Sequence, residues 1–262
     1  MQSSLRAFAT VALASVAFST AHGRPSPTMC PSHYADGVPP TLTASLQAST
    51  PRELCSSGYA VLHSGRSRGA LYAAEHLTRE RVRAAKNMAR TNSFRPDDRL
   101  PVDERAELRD YARSGYDRGH LAPNGDMPTE AAQAESFVLS NMVPQDPASN
   151  RHLWSDIEAA ARSMVAREGE AYVLTGPAYF GKGRWLHNRV PVPDYMWKAI
   201  YLPKSRRAAA WFAPNSSSRD YQILSIAQLK DAIGIDVFPS LPAAVKATAA
   251  DIKRPYSRGE KY

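Results

Sequence analysis

Apolar residues fall in short runs divided by turn-forming residues along most of the chain. Gly58–Ser64 (GYAVLHS) and Gly69–Ala74 read as strands, as do Ala171–Thr175, Tyr195–Leu202 and Ala208–Ala213, the last two at hairpin distance. A sustained helical period occurs between Asn150 and Glu168, where Leu153, Ile157, Ala160, Ala161 and Met164 share one face and Gly169 ends the run. Shorter helices are predicted over Asp103–Tyr111, Thr129–Ser136, Ile223–Ile233 and Pro242–Ala249. Phe137–Ser140 (FVLS) is predicted as a short strand, and Trp185, Trp197 and Trp211 are expected in the core. Arg24–Pro51, rich in Pro, Ser and Thr without a period, reads as an extended arm pinned at Cys30. The polar tail Asp251–Tyr262 is expected to fray. Strands and helices follow no regular βαβ alternation, which predicts an α+β fold with a central antiparallel sheet flanked by helices.

The N-terminus departs from this pattern. Arg6 precedes an uncharged apolar run, Ala7–Phe18, and small residues follow with spacing suited to cleavage after Ala21 or Gly23. This reads as a secretory signal peptide over Met1–Gly23 and implies a secreted or periplasmic protein. The expected organisation is a signal peptide over 1–23, an arm over 24–57 and one folded domain over 58–262. Elsewhere no apolar run reaches the ~18 residues of a spanning helix, so no membrane partner is expected. Export also changes the reading of Cys30 and Cys55, the only two cysteines. In an oxidising compartment they are expected to pair. Lys and Arg number 33 against 25 acids, a net +8 that falls to +7 when Arg6 is removed, and this balance favours a polyanionic partner.

Candidate chemistry concentrates in two segments. In Asp117-Arg118-Gly119-His120, on a strand end, Arg118 and His120 stand two residues apart and so on one side. Gly119 between them admits a close backbone or substrate. A neutral imidazole can take a proton from water while a guanidinium grips phosphate oxygens. Downstream, Asn141, Gln145 and Asn150 cluster around a Pro-containing turn, and Asn150, Trp154 and Glu158 recur every fourth residue on the long helix. An amide oxygen and a carboxylate on one face can hold a Mg²⁺ that keeps most of its waters. Taken singly, each residue has a plainer role: His120 as a hydrogen-bonded structural residue, Asn150 as a helix N-cap, Glu158 as a solvated helix residue. No His/Cys cluster has zinc spacing.

Together the segments resemble the sugar-non-specific DNA/RNA endonucleases of the ββα-metal fold, a family that includes secreted bacterial nucleases and mitochondrial endonuclease G. The resemblance rests on Ser114-Gly115-Tyr116-Asp117-Arg118-Gly119-His120-Leu121-Ala122-Pro123, on Leu139-Ser140-Asn141-Met142-Val143-Pro144-Gln145 and on the Asn150…Trp154…Glu158 spacing. It covers Gly58 to about Gly176 and weakens over the C-terminal third. It implies His120 as general base, Asn150 as the sole direct protein ligand of one Mg²⁺, and Glu158 as the residue that orients the ion's waters. Arg118 would contact phosphate or transition-state charge, and Asn141 would fix local geometry. Asp117 would be structural. An upstream phosphate-gripping Arg is implied, with Arg90 favoured over Arg95. Mn²⁺ is expected to substitute for Mg²⁺. Ser149 and His152 depart from the residues common in relatives, which bears on access to the metal. The substrates implied are DNA and RNA, held through the phosphate backbone, and a homodimer is left open. The rival reading is a catalytically silent nucleic-acid-binding module of the same fold. Such a module has no need of His120, Asn150 and Glu158 together.

Overall fold

The computed structural model describes residues 28–49 and 51–255; the expected signal peptide and its cleavage positions lie outside this range. The chain begins with β1 (Thr41–Leu42), α1 (Ala44–Gln47), β2 (Arg52–Cys55), β3 (Ala60–Ser64) and β4 (Gly69–Thr78). Then come α2 (Arg79–Lys86), α3 (Leu108–Tyr111), β5 (Asp117–His120), α4 (Glu130–Ser136), β6 (Met142–Gln145) and α5 (Ser155–Glu168). Next are β7 (Glu170–Ala178), β8 (Arg184–Leu186), β9 (Val190–Val192), β10 (Tyr195–Leu202), β11 (Arg207–Pro214) and β12 (Gln222–Leu224). The chain closes with α6 (Ile226–Ile233), β13 (Ile235–Asp236) and α7 (Ala243–Ala247).

Seven strands form the central sheet in the order β12-β11-β10-β7-β4-β3-β2, every neighbouring pair antiparallel. The α+β expectation therefore holds. Successive residues of the inner strands enter two separate cores. Val173, Met196, Ala209 and Trp211 pack on the face covered by α5, while Leu174, Trp197, Ala210 and Phe212 pack on the face covered by α6 and the N-terminal turns. A strand buried on both faces needs apolar residues at every position. This is why Ala208–Ala213 reads as a continuous apolar run and Tyr195–Leu202 as one broken only by Lys198.

Several elements differ from the pattern-based expectation. The arm supplies β2, the edge strand beside β3, and Cys30 is bonded to Cys55 with Cα atoms 5.7 Å apart. Glu53 in β2 also accepts hydrogen bonds from the Thr28 hydroxyl, the Met29 N–H and the Tyr34 hydroxyl, each at 2.8 Å. Long-range bonds of this kind leave no local period to read. Phe137–Ser140 is not a strand. Val138 makes an isolated bridge to Arg95, Leu139–Asn141 forms a 3-10 turn, and pairing starts only at Met142. The long helix begins as a π-helical turn, Ser149–Trp154, before α5, which ends at Gly169 (φ 107°). The start of the tail is held, because Ile252 is buried and the Trp211 indole donates to the Lys253 carbonyl. Trp197 and Trp211 are in the core as expected, but Trp185 is 48% exposed. It alternates with Leu186, whose side chain takes the buried side of the two-stranded ribbon β8–β9.

Candidate active site

β5 pairs antiparallel with β6, and the chain then turns into the π-helical segment and α5, giving a strand–strand–helix unit beside the main sheet. Gly119 lies opposite Val143, and a Cβ on it would clash with the Gln145 side chain. The close approach that Gly119 permits is thus made by Gln145 rather than by a substrate. Arg118 and His120 project to the other side as the two-residue spacing predicts. They line a polar pocket of about 310 Å³ with Arg90, Pro123, Asn124, Asn150, Arg151, Ser155 and Glu158. A second cleft of about 630 Å³ shares Arg90, Arg118, Asn150 and Arg151 and extends past Tyr111 and Tyr116.

His120 is buried between two rings, with Phe137 edge-on at 5.0 Å and Phe94 at 5.8 Å, and its buried Nε2 has no partner among the described residues. Burial, reinforced by the charge of Arg90, lowers its pKa to about 3. The imidazole is therefore neutral at physiological pH, the form able to accept a proton. Arg118 lies 4.2 Å from the Phe94 ring centroid, held by stacking. The adjacent carboxylate, Asp117, is committed to Arg151 at 2.7 and 2.9 Å and to the Asn150 amide N–H at 2.9 Å. Asp117 thus leaves the Arg118 charge for a ligand. Arg90 lies 5.5 Å from the Phe137 ring and faces the pocket, whereas Arg95 donates to the Ala134 carbonyl at 2.7 Å and lines a different depression. Of the two candidate phosphate-gripping arginines, the fold brings Arg90 to the site.

Asn150 is not an N-cap. The Asp146 carboxylate caps this turn, accepting from the Ala148 and Ser149 N–H groups at 2.9 and 3.1 Å. The Asn150 amide N–H is spent on Asp117, which leaves its carbonyl oxygen without a partner among the described residues. Burial raises Glu158 to about 7, with Asp126 adding to the shift and Arg162 and Lys198 opposing it. A free amide oxygen and a carboxyl in one polar pocket are the hard oxygen donors that a Mg²⁺-like cation takes, so the residues fit such an ion. Asn141 is fully buried. It accepts from the Ala122 N–H at 2.9 Å and donates to the Ala122 and Ser136 carbonyls at 2.8 and 2.9 Å. His152 is exposed on the π-helical turn.

Behind these residues lies a charged layer that residue spacing did not reveal. Arg162 pairs with Asp126 at 2.9 Å. Glu75 and Lys198 are both buried, burial pushes the Glu75 carboxyl well up, and Lys198 donates to the Thr175 hydroxyl at 2.5 Å. The readable signal for the latter pair was a charge inside an otherwise apolar strand. The basic run Leu77–Arg90 divides: Arg79 and Arg81 are spent on backbone carbonyls of neighbouring segments, and Arg90 reaches the pocket.

A sequence profile described as DNA/RNA non-specific endonuclease matches residues 40–244. The chain belongs to this family. Nuclease C1 of Cunninghamella echinulata var. echinulata is 34% identical over 168 residues, 59% of this chain and 67% of that one. Human mitochondrial endonuclease G is 35% identical over 156 residues, 55% and 52% of the two chains. Nuclease 1 of Schizosaccharomyces pombe mitochondria is 32% identical over 210 residues, 71% of this chain and 65% of that one. The chain thus spans about two thirds or less of the length of these relatives. A crystal structure of EndoG in complex with EndoGI superposes with a TM-score of 0.64 at 29% identity, covering 70% of this chain and 84% of that one. The central antiparallel sheet and the β5–β6–α5 unit are accordingly those of the ββα-metal endonuclease fold.

Proposed function

We propose that this chain is a secreted or periplasmic endonuclease that hydrolyses phosphodiester bonds of DNA and RNA with little sequence preference, using Mg²⁺. The reading is carried by one observation: His120, Asn150, Glu158, Arg90 and Arg118 line a single polar pocket. Neutral His120 accepts a proton from the attacking water, and Phe94 and Phe137 fix the plane of the ring. Asn150 and Glu158 would hold the cation, the amide oxygen directly and the carboxyl through its waters. When bound, the ion supplies charge stabilisation to the non-bridging and leaving oxygens. Arg118 and Arg90, neither paired with a carboxylate among the described residues, bind and orient the phosphate. Asn141 keeps Ala122, two residues past His120, in register. Recognition through phosphates makes binding salt-dependent and insensitive to base sequence. Export rests on the sequence of Met1–Gly23 and on a Cys30–Cys55 bond suited to an oxidising compartment.

A plasmid-nicking assay on the purified protein tests the reading. Supercoiled DNA should be nicked in millimolar Mg²⁺ or Mn²⁺ and RNA degraded, and EDTA should stop both. Intact plasmid in Mg²⁺ would leave the rival reading, a silent binding module.

A further inference from the structure

Three of the four tryptophans, Trp154, Trp197 and Trp211, are buried; Trp185 is 48% exposed, and Phe180 and Tyr179 nearby are 45% and 40% exposed. These rings sit in a strongly one-signed stretch. Residues 179–193 contain Lys182, Arg184, His187 and Arg189 and no carboxylate. Arg189 is spent on Asp110 at 2.8 Å, but the side chains of Lys182 and Arg184 make no ion pair or hydrogen bond among the described residues. The Arg184 guanidinium stands 5.6 Å from the Tyr116 ring centroid, and Tyr116 lines the cleft that also holds Arg118 and Asn150. Underneath, Leu186 shares a buried cluster with Tyr111 and Met142, which ties β8–β9 firmly to β6 and so to the strand carrying His120.

We propose that β8–β9 and the turn before it form a subsite for unpaired nucleobases, with Trp185 as its stacking platform and Lys182 and Arg184 holding the flanking phosphates. The proposal rests on the nuclease reading above and assigns a substrate class to it. Stacked bases in a duplex hide their faces, whereas a single strand presents them to any exposed ring. An exposed aromatic platform beside cationic side chains is the arrangement that binds single strands without reading sequence. Lys182 and Arg184 give the patch a cationic balance that suits a polyanion better than an average protein surface, the nearby Asp194 carboxylate being spent on the Phe180 N–H at 2.6 Å. The subsite would therefore favour single-stranded DNA, RNA loops and frayed ends over intact duplex.

Because the other three tryptophans are buried, the quenchable part of the intrinsic emission reports on Trp185. With EDTA present to prevent cleavage, titration with an oligo-dT strand should quench that component saturably, and a blunt duplex of equal length should do so weakly. By fluorescence anisotropy with labelled strands, Trp185→Ala should lower the ratio of single-strand to duplex affinity by about 5–150-fold, the span covered by one base–aromatic stack. Trp185→Phe, which keeps a ring, should keep most of that ratio. An emission unchanged at saturating oligo-dT, or a ratio within twofold of wild type in Trp185→Ala, would overturn the subsite; the patch would then serve a different partner, such as a protein. Wild-type plasmid nicking is measured in parallel, so failure of the nuclease reading is seen separately from failure of the subsite.

Discussion

Asn141→Ala isolates the link between a buried amide and the geometry of the site. The side chain satisfies one N–H and two carbonyls, all in buried or part-buried surroundings. Removing it orphans the Ala122 N–H, at about 1–3 kcal/mol, and deletes two further bonds of about 1 kcal/mol each. The expected loss is about 3–5 kcal/mol, a large part of the ~5–15 kcal/mol that holds a typical domain. The variant should still fold at low temperature, with a markedly lower urea midpoint in near-ultraviolet circular dichroism. Activity should fall further than stability explains. Ala122 and Leu121 both bond to Asn141, and Leu121 directly follows His120. A displacement of the base of about 1 Å costs on the order of 10²-fold in rate. Asn141→Asp, which keeps the acceptor but turns a carboxylate toward two carbonyls, should be at least as damaging. A stability loss below about 1 kcal/mol, or a near wild-type nicking rate in folded Asn141→Ala, would refute the reasoning.

Other expectations follow from the same geometry. His120→Ala should cut turnover by about 10²–10⁴-fold with nucleic-acid binding largely kept; near wild-type nicking would remove His120 from the role of base. Asn150→Ala should raise the Mg²⁺ concentration needed for half-maximal nicking and lower the plateau, and an unchanged metal curve would place the ligand elsewhere. The carboxyl of Glu158 is raised to about 7, so it holds a proton below that pH and must release it as a cation enters. The metal requirement should therefore climb up to about tenfold per pH unit below 7 and stay flat above it. Glu158→Gln should abolish that slope. His120, lowered to about 3, contributes no protonation step in the pH 5–8 window. Replacing Cys30 and Cys55 by Ser should destabilise the protein by about 3 kcal/mol, as expected for a loop of this length, with the nicking rate of the folded fraction unchanged.

What the chain alone determined here is whatever depends on local spacing. The two-residue offset of Arg118 and His120 on one strand, the helical run ending at Gly169 and the hairpin of β10 and β11 were legible because side-chain direction follows from backbone period. The Asp117–His120 motif and the Asn150…Glu158 spacing also identified the candidate site, since both segments turn inward to one pocket. The folded state decided the rest, because those features arise from contacts between residues distant in sequence. Only packing shows that Arg90 rather than Arg95 faces the cleft, that Asn150 spends its N–H on Asp117 and keeps its oxygen, and that Glu53 stitches the N-terminal stretch to a sheet edge. Trp185 makes the same point. It stands between exposed Arg184 and buried Leu186, and only the fold shows that its own ring is left uncovered. What covers a ribbon as short as β8–β9 is set by segments distant in sequence, and so few residues carry too little pattern to record it.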